Sequence, residues 1–354
     1  MLSQHKLRVA VVGASGMVGR ELIQLLEKRR FPVAELFPCG SGKHSTTISF
    51  KGRPLRVRPT KLSQLENMDL VFLSTGEDVS RKLAPPLVHR GVWVLDDSSA
   101  FRMDPNVPLV IPEINPQVLS SQRRLIAGPN CSMAALAMGI YPLHKKVGVT
   151  AVRAATYQSV SGAGKIAMHD LENEIQAWKK NAGHKKIPAP TALPHTIAFN
   201  LFPHIGSFTK GGFTTEEVKI GQELRKIFEA PGLKISVTAV RVPVFRGHSI
   251  AAWVETRKKI TPTQAESRLR KAEGVVLTPG TRYSMPTEVA GRWPVYVGRV
   301  RRGESPQEIL LWIVSDNLLK GAALNSVQTA EVLLQKGWLI PRGFSSPMLS
   351  QTAH

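Results

Sequence analysis

The chain has 354 residues, enough for two domains that each bury a core, and its 42% hydrophobic and 21% charged content is that of a folded globular protein. No apolar run reaches the length of a membrane-spanning helix, the start of the chain lacks the apolar stretch of a secretory signal, and two cysteines make no disulfide framework, so a cytoplasmic protein without a membrane partner is expected. The net charge of +21 is spread over short clusters such as Lys28–Arg30 and Arg301–Arg302 with no interleaved aromatics, so it reads as a solvated surface that attracts small anions, and no nucleic-acid partner is expected.

In chain order, Leu7–Val12 reads as a short buried strand. The turn Gly13-Ala14-Ser15-Gly16-Met17-Val18-Gly19 follows and opens a helix with Leu22, Leu25 and Leu26 on one face. A glycine-rich turn between the first strand and the first helix lets backbone N–H groups approach a pyrophosphate, so Gly13, Ser15, Gly16, Met17, Val18 and Gly19 are candidate dinucleotide contacts. The spacing is G-x-x-G-x-x-G rather than the commoner G-x-G-x-x-G. At the end of the second strand, Pro38–His44 carries Ser41 and Lys43 but no Asp or Glu for a ribose 2′-hydroxyl, which suits a 2′-phosphate and favours NADP over NAD. Cys39, with no acid–base partner beside it, reads as a bystander. Further buried strands at Leu70–Leu73 and Val92–Leu95 extend a parallel α/β pattern to Ile126–Ala127.

Gly128-Pro129-Asn130-Cys131-Ser132-Met133 then leads into a strongly apolar helix. A cysteine at a helix N-terminus has its thiolate stabilised by the macrodipole, and the first-turn N–H groups are expected to cradle an oxyanion formed when it attacks a carbonyl. A lone Cys is more often a small buried hydrophobe, but this turn favours the reactive reading. Helical segments near 165–180 and 215–229 alternate with longer strands at Ile235–Val242 and Ile250–Thr256, which predicts an α+β half with a mixed, largely antiparallel sheet. The Pro-rich stretch Lys186–His195 reads as an exposed loop or arm, and the last helix, about Lys320 to Lys336, has no partner nearby in sequence.

Five ordered motifs carry a resemblance: Gly13–Gly19, Gly128–Ser132, Thr156–Gly164, Arg241–Ser249 and Ser315–Ala323. Together, across about residues 7 to 336, they resemble the bacterial aspartate-semialdehyde dehydrogenase family. The resemblance implies that Cys131 forms an acyl thioester, His248 is the acid–base group, Gln158 orients the substrate and Arg241 grips its carboxylate. It implies that Glu216 meets the substrate amino group, Lys219 and Arg102 the phosphate, Ser161 and Gly162 the cofactor, and Asn317 the nicotinamide. It departs from the family at Lys43, where Arg is more usual, and at Met133, where Thr commonly follows Cys-Ser.

The expected organisation is a Rossmann-like NADP-binding domain over residues 1–130, to which 318–354 returns, and a catalytic and dimerisation domain over 131–317. The activity implied is reversible, NADPH-dependent reductive dephosphorylation of L-aspartyl 4-phosphate to L-aspartate 4-semialdehyde, by a homodimer and without a metal. That step serves lysine/diaminopimelate, threonine, methionine and isoleucine biosynthesis. Against an N-acetyl-glutamyl-phosphate reductase stands the Pro-Asn-Cys-Ser context in place of Pro-Gly-Cys-Tyr; against an idle binding protein stand Cys131, Gln158, Arg241 and His248 together.

Overall fold

The run Leu7–Val12 forms strand β1, buried except for the partly covered Arg8, and helix α1 (Met17–Lys28) follows it. On α1, Leu22, Ile23, Leu25 and Leu26 recur at helical spacing and are buried. Next come β2 (Val33–Gly40), a hairpin of β3 (Thr47–Phe50) and β4 (Arg53–Arg56), β5 (Arg58–Pro59) and the short α2 (Leu62–Leu65). β6 (Leu70–Leu73), α3 (Glu77–His89), β7 (Trp93–Asp96) and β8 (Leu125–Ala127) complete this part. Six strands make one parallel sheet in the order β5-β2-β1-β6-β7-β8. The order reverses between β1 and β6, the switch point beside which such sheets bind ligands.

A second six-stranded sheet begins after helix α4 (Cys131–Val147) and is built from β9 (Val149–Gln158), β10 (Lys234–Arg241), β11 (His248–Thr256), β12 (Val275–Thr278), β13 (Val295–Arg302) and β14 (Glu308–Ser315). Helices α5 (Lys165–Lys180), α6 (Thr215–Ile227), α7 (Pro262–Leu269) and α8 (Pro286–Val289) lie between its strands in sequence. The order is β10-β9-β11-β14-β13-β12: the central pairings are antiparallel, and the outer pairs β9/β10 and β12/β13 are parallel. This is the mixed, largely antiparallel sheet that the alternating strands predict. Buried α4 packs on it closely at Gly139, where a Cβ would stand 2.6 Å from Ile313 Cδ1. Helix α9 (Leu324–Gln335) follows a π-helical stretch at Leu319–Ala323. It packs against α1, and its Glu331 pairs with Arg29 at 2.6 Å.

The computed structural model describes residues 6–42, 45–180 and 187–343. They divide into two compact units: one holds the described residues up to Pro129 and those from Ala322 onward, the other is Asn130–Gly321. No described helix is long and apolar enough to cross a membrane.

Candidate active site

Strand register in the second unit gathers polar residues at one end of the sheet. β9 and β10 run parallel and finish side by side, Gln158 paired with Arg241. β11 runs against β9 and starts at the same end with His248, which pairs with Ser315, the last residue of β14. The start of α4 brings Cys131 there, with Sγ 3.4 Å from His248 Nε2. Gln158, Arg241 and His248 are all buried, and Cys131 is half-buried. Cys39 is fully buried in the first unit, and burial pushes its thiol up to about 11, which leaves it protonated and inert at neutral pH.

Asn130, directly before Cys131, is the N-cap of α4, and its Oδ1 accepts from the N–H groups of Ser132 (2.9 Å) and Met133 (3.0 Å). Of the first-turn N–H groups expected to cradle an oxyanion, the cap therefore takes those of Ser132 and Met133, and Met133 is fully buried. The cap is itself held, because Asn130 Nδ2 donates to both oxygens of Glu216 and its N–H donates to Glu223. Glu216 also accepts from Gln158 Nε2 at 3.0 Å, so one carboxylate ties the Asn130 cap to Gln158. Lys219 lies three residues further along α6, half-buried.

His248 is fully buried, and burial, reinforced by the Arg241 charge and opposed by a Gly247 backbone contact, pushes its imidazole down to about 3. It is therefore neutral at neutral pH. Arg241 is also held below its ordinary value by burial, opposed by Cys131 and Glu216, and Nη1 donates to the Ser159 carbonyl at 2.7 Å. A Cβ on Gly162 would stand 3.2 Å from Arg241 Nη1 and 3.3 Å from His248 Nε2, so a side chain here would press on both groups. Ser161 and Asn317 are buried behind them: Asn317 Nδ2 donates to Ser161 Oγ at 3.0 Å, and Asn317 Oδ1 accepts from the Gly247 N–H at 2.9 Å.

The first unit holds the glycine turn. Gly13 has φ +86°, and a Cβ there would meet Ser74 O at 2.3 Å, so the turn needs glycine to pass the residue that follows β6. Gly16 caps α1 with no side-chain hydrogen bond, and the first turn of α1 has no acidic residue, which leaves its N-terminus chemically suited to an anion. Gly40, at the end of β2, lies beside this turn, since a Cβ on it would be 3.7 Å from Ser15 Oγ. Ser41 is exposed next to it, and Lys43 lies outside the described residues. These features fit a dinucleotide. Arg102, also in this unit, is buried and donates from Nη2 to the Asp97 carbonyl at 2.7 Å.

The sequence reading missed Asn130, Ser159 and Gly321. The first carried a signal, since Asn before an apolar helix is a common N-cap. Ser159 meets His248 Nδ1 with both its N–H and its Oγ, each at 3.1 Å, and a serine at the end of a strand carries no signal of such a contact. Gly321 is required because a Cβ there would stand 2.6 Å from Cys131 Cβ.

A family profile described as "Semialdehyde dehydrogenase, NAD binding domain" matches residues 8–122, and one described as "Semialdehyde dehydrogenase, dimerisation domain" matches residues 140–320. The chain is 42% identical over 338 residues to aspartate-semialdehyde dehydrogenase of Aquifex aeolicus, covering 93% of this chain and 98% of that one. It is 41% identical to the Synechocystis enzyme of the same name, covering 94% and 99%. Among solved structures, aspartate semialdehyde dehydrogenase II of Vibrio cholerae, complexed with ASA, superposes with a TM-score of 0.90 at 37% identity, covering 94% of this chain and 99% of that one.

Proposed function

The chain belongs to the aspartate-semialdehyde dehydrogenase family, and from that premise we propose that it carries out the NADPH-dependent reductive dephosphorylation of L-aspartyl 4-phosphate to L-aspartate 4-semialdehyde through a thioester on Cys131. The observation that carries this is Cys131 Sγ at the start of α4, 3.4 Å from His248 Nε2, with Arg241 Nη1 and His248 Nε2 both beside Gly162. The first unit binds the dinucleotide, with Ser41 and Lys43 at its 2′-phosphate, and the second performs the chemistry.

In the reducing direction the Cys131 thiolate attacks the acyl carbon. A C–S bond forms as the C–O bond to phosphate breaks, and Arg102 and Lys219 neutralise the departing phosphate. Arg241 holds the substrate carboxylate with its forked donors, and Glu216 meets the amino group. Gln158 orients the acyl chain. NADPH, when bound, supplies the hydride that reduces the thioester. His248 acts as the acid–base group, giving a proton to the oxygen that gains charge as the tetrahedral species forms and taking it back as that species collapses to the aldehyde, the C–S bond breaks and the sulfur leaves as thiolate.

Homodimerisation through the second unit is supported by the matched dimerisation profile and by large apolar side chains exposed there, among them Trp178, Phe199, Phe208, Phe213 and Trp253. A cytoplasmic location and a step in amino-acid biosynthesis complete the reading.

The test is a spectrophotometric assay of NADP reduction by L-aspartate semialdehyde with and without phosphate. Phosphate-dependent turnover, better with NADP than NAD and absent in Cys131→Ala, is expected, while Cys131→Ala still binds NADP. Phosphate-independent turnover, or Cys131→Ala retaining more than a few per cent of it (roughly the residual that loss of a covalent nucleophile allows), would overturn the reading.

A further inference from the structure

We propose that Asp316, the first residue after β14, is a positioning residue for the reaction: its carboxylate sets the acid–base imidazole of His248 and the sulfur of Cys131 at their working separation. This rests on the roles given above to those two residues. Asp316 is fully buried, and its oxygens accept from three separate segments of the second unit. Oδ2 accepts from Arg246 Nε and from the Gly291 N–H, both at 2.6 Å. Oδ1 accepts from the N–H groups of Leu318 at 2.9 Å and Leu319 at 3.2 Å. A carboxylate can be buried in this way because each of its oxygens meets two donors.

Each segment leads to the reacting pair. Between Arg246 and His248 lies Gly247, which is pinned on two sides. Its N–H donates to Asn317 Oδ1 at 2.9 Å, and a Cβ on it would stand 3.0 Å from Pro286 Cβ at the start of α8. Through Gly291, just beyond α8, Asp316 also holds the helix against which Gly247 lies. The imidazole is held separately at Nδ1, by the N–H and Oγ of Ser159, each at 3.1 Å, and Nε2 faces Cys131 Sγ at 3.4 Å. In the other direction, Leu318 and Leu319 lead into the π-helical stretch that brings Gly321 against Cys131, where a Cβ would stand 2.6 Å from Cys131 Cβ. One carboxylate is therefore bonded both to the approach of the base and to the backing of the nucleophile.

The effect on the chemistry is geometric. Proton transfer needs its partners within hydrogen-bond reach, and a displacement of roughly an ångström can cost about a hundredfold in rate. The amide of Asp316→Asn cannot replace the carboxylate without conflict. It offers one oxygen and one NH2, so whichever way it sits, one pair of donors faces another donor. Arg246→Gln removes only the bond on the His248 side, and its side chain is 24% exposed, so the change is milder than one at the buried Asp316. In the double variant the two amides can pair, so the loss should be smaller than the product of the two single losses.

The test reads Cys131 directly, through the pH dependence of its alkylation by iodoacetamide in the full-length enzyme. His248→Ala is the reference for a Cys131 that has lost its imidazole. In Asp316→Asn and in Arg246→Gln the alkylation midpoint should move from the wild-type value toward that of His248→Ala. In both variants kcat should fall roughly tenfold to a hundredfold, with KM little changed. Wild-type alkylation and kcat in both, with only the denaturant midpoint lowered, would mean that Asp316 stabilises the fold and does not position the pair, and would overturn the proposal. A raised KM with unchanged kcat, or equal alkylation midpoints in wild type and His248→Ala, would also overturn it. If Asp316→Asn does not fold, Arg246→Gln decides. Alkylation is read whether or not L-aspartyl 4-phosphate is reduced, so failure of the assigned activity and failure of this inference show separately.

Discussion

Arg241 and His248 both stand beside Gly162, yet their changes should split cleanly in kinetics. Arg241→Lys keeps the charge and loses the forked donors, so it should raise KM by an amount corresponding to about 1.5–3 kcal/mol of lost charge-assisted contact, with kcat less affected. His248→Ala removes the proposed acid–base group and should cost kcat about two to three powers of ten, with KM near wild type. Steady-state kinetics of both variants check this, and the opposite split would exchange the two roles. The buried imidazole also marks stability. Above its ordinary pKa, neither folded nor unfolded chain carries the proton. As pH falls below it, the unfolded chain binds a proton that the folded chain refuses until about pH 3, so the stabilisation is present above the unfolded pKa and is lost on the way down. Urea midpoints should therefore drop from neutral pH to ~pH 5 in wild type and drop less in His248→Gln. Equal drops would mean that His248 is not the titrating group.

Elements deliver these residues, and the delivery depends on close backbone approach. The π-helical stretch Leu319–Ala323 brings Gly321 against the first residue of α4, where a Cβ would stand 2.6 Å from Cys131 Cβ and 2.9 Å from its Cα. Gly321→Ala should therefore displace the nucleophile, costing about 1–3 kcal/mol of stability and roughly tenfold or more in kcat, while NADP binding stays intact. Denaturant melts, kcat and cofactor titration measure the three quantities, and an unimpaired kcat would show that α4 does not need this contact. Much at this scale was legible beforehand: the switch from short buried strands to long alternating ones separates a parallel from a mixed sheet, and the Pro-Asn-Cys-Ser turn marks the start of α4. The Asn130–Glu216–Gln158 tie was not legible, because it joins residues up to 86 positions apart and depends on how α6 meets α4. The Ser159 contacts to His248 span 89 positions, and neither a main-chain N–H nor a serine hydroxyl at the end of a strand announces them.

At the scale of the whole chain, a charge of +21 is compatible with anionic substrates and a dinucleotide, and sequence alone could say only that the basic residues are dispersed. The motif order, by contrast, pointed to the chemistry because five motifs together carry the parts proposed for one reaction: the glycine turn Gly13–Gly19, Cys131, Gln158, Arg241 with His248 in a single motif, and Asn317. What joins those parts is a covalent bond to one sulfur, and it can be weighed. The enzyme is mixed with L-aspartate semialdehyde and NADP in phosphate-free buffer, quenched, and mapped by peptide mass spectrometry. A burst of NADPH stoichiometric with enzyme is predicted, with an aspartyl acyl group on the peptide containing Cys131, none on buried Cys39, and steady turnover restored on adding phosphate. Undiminished steady turnover without phosphate, or an adduct on any residue other than Cys131, would contradict it.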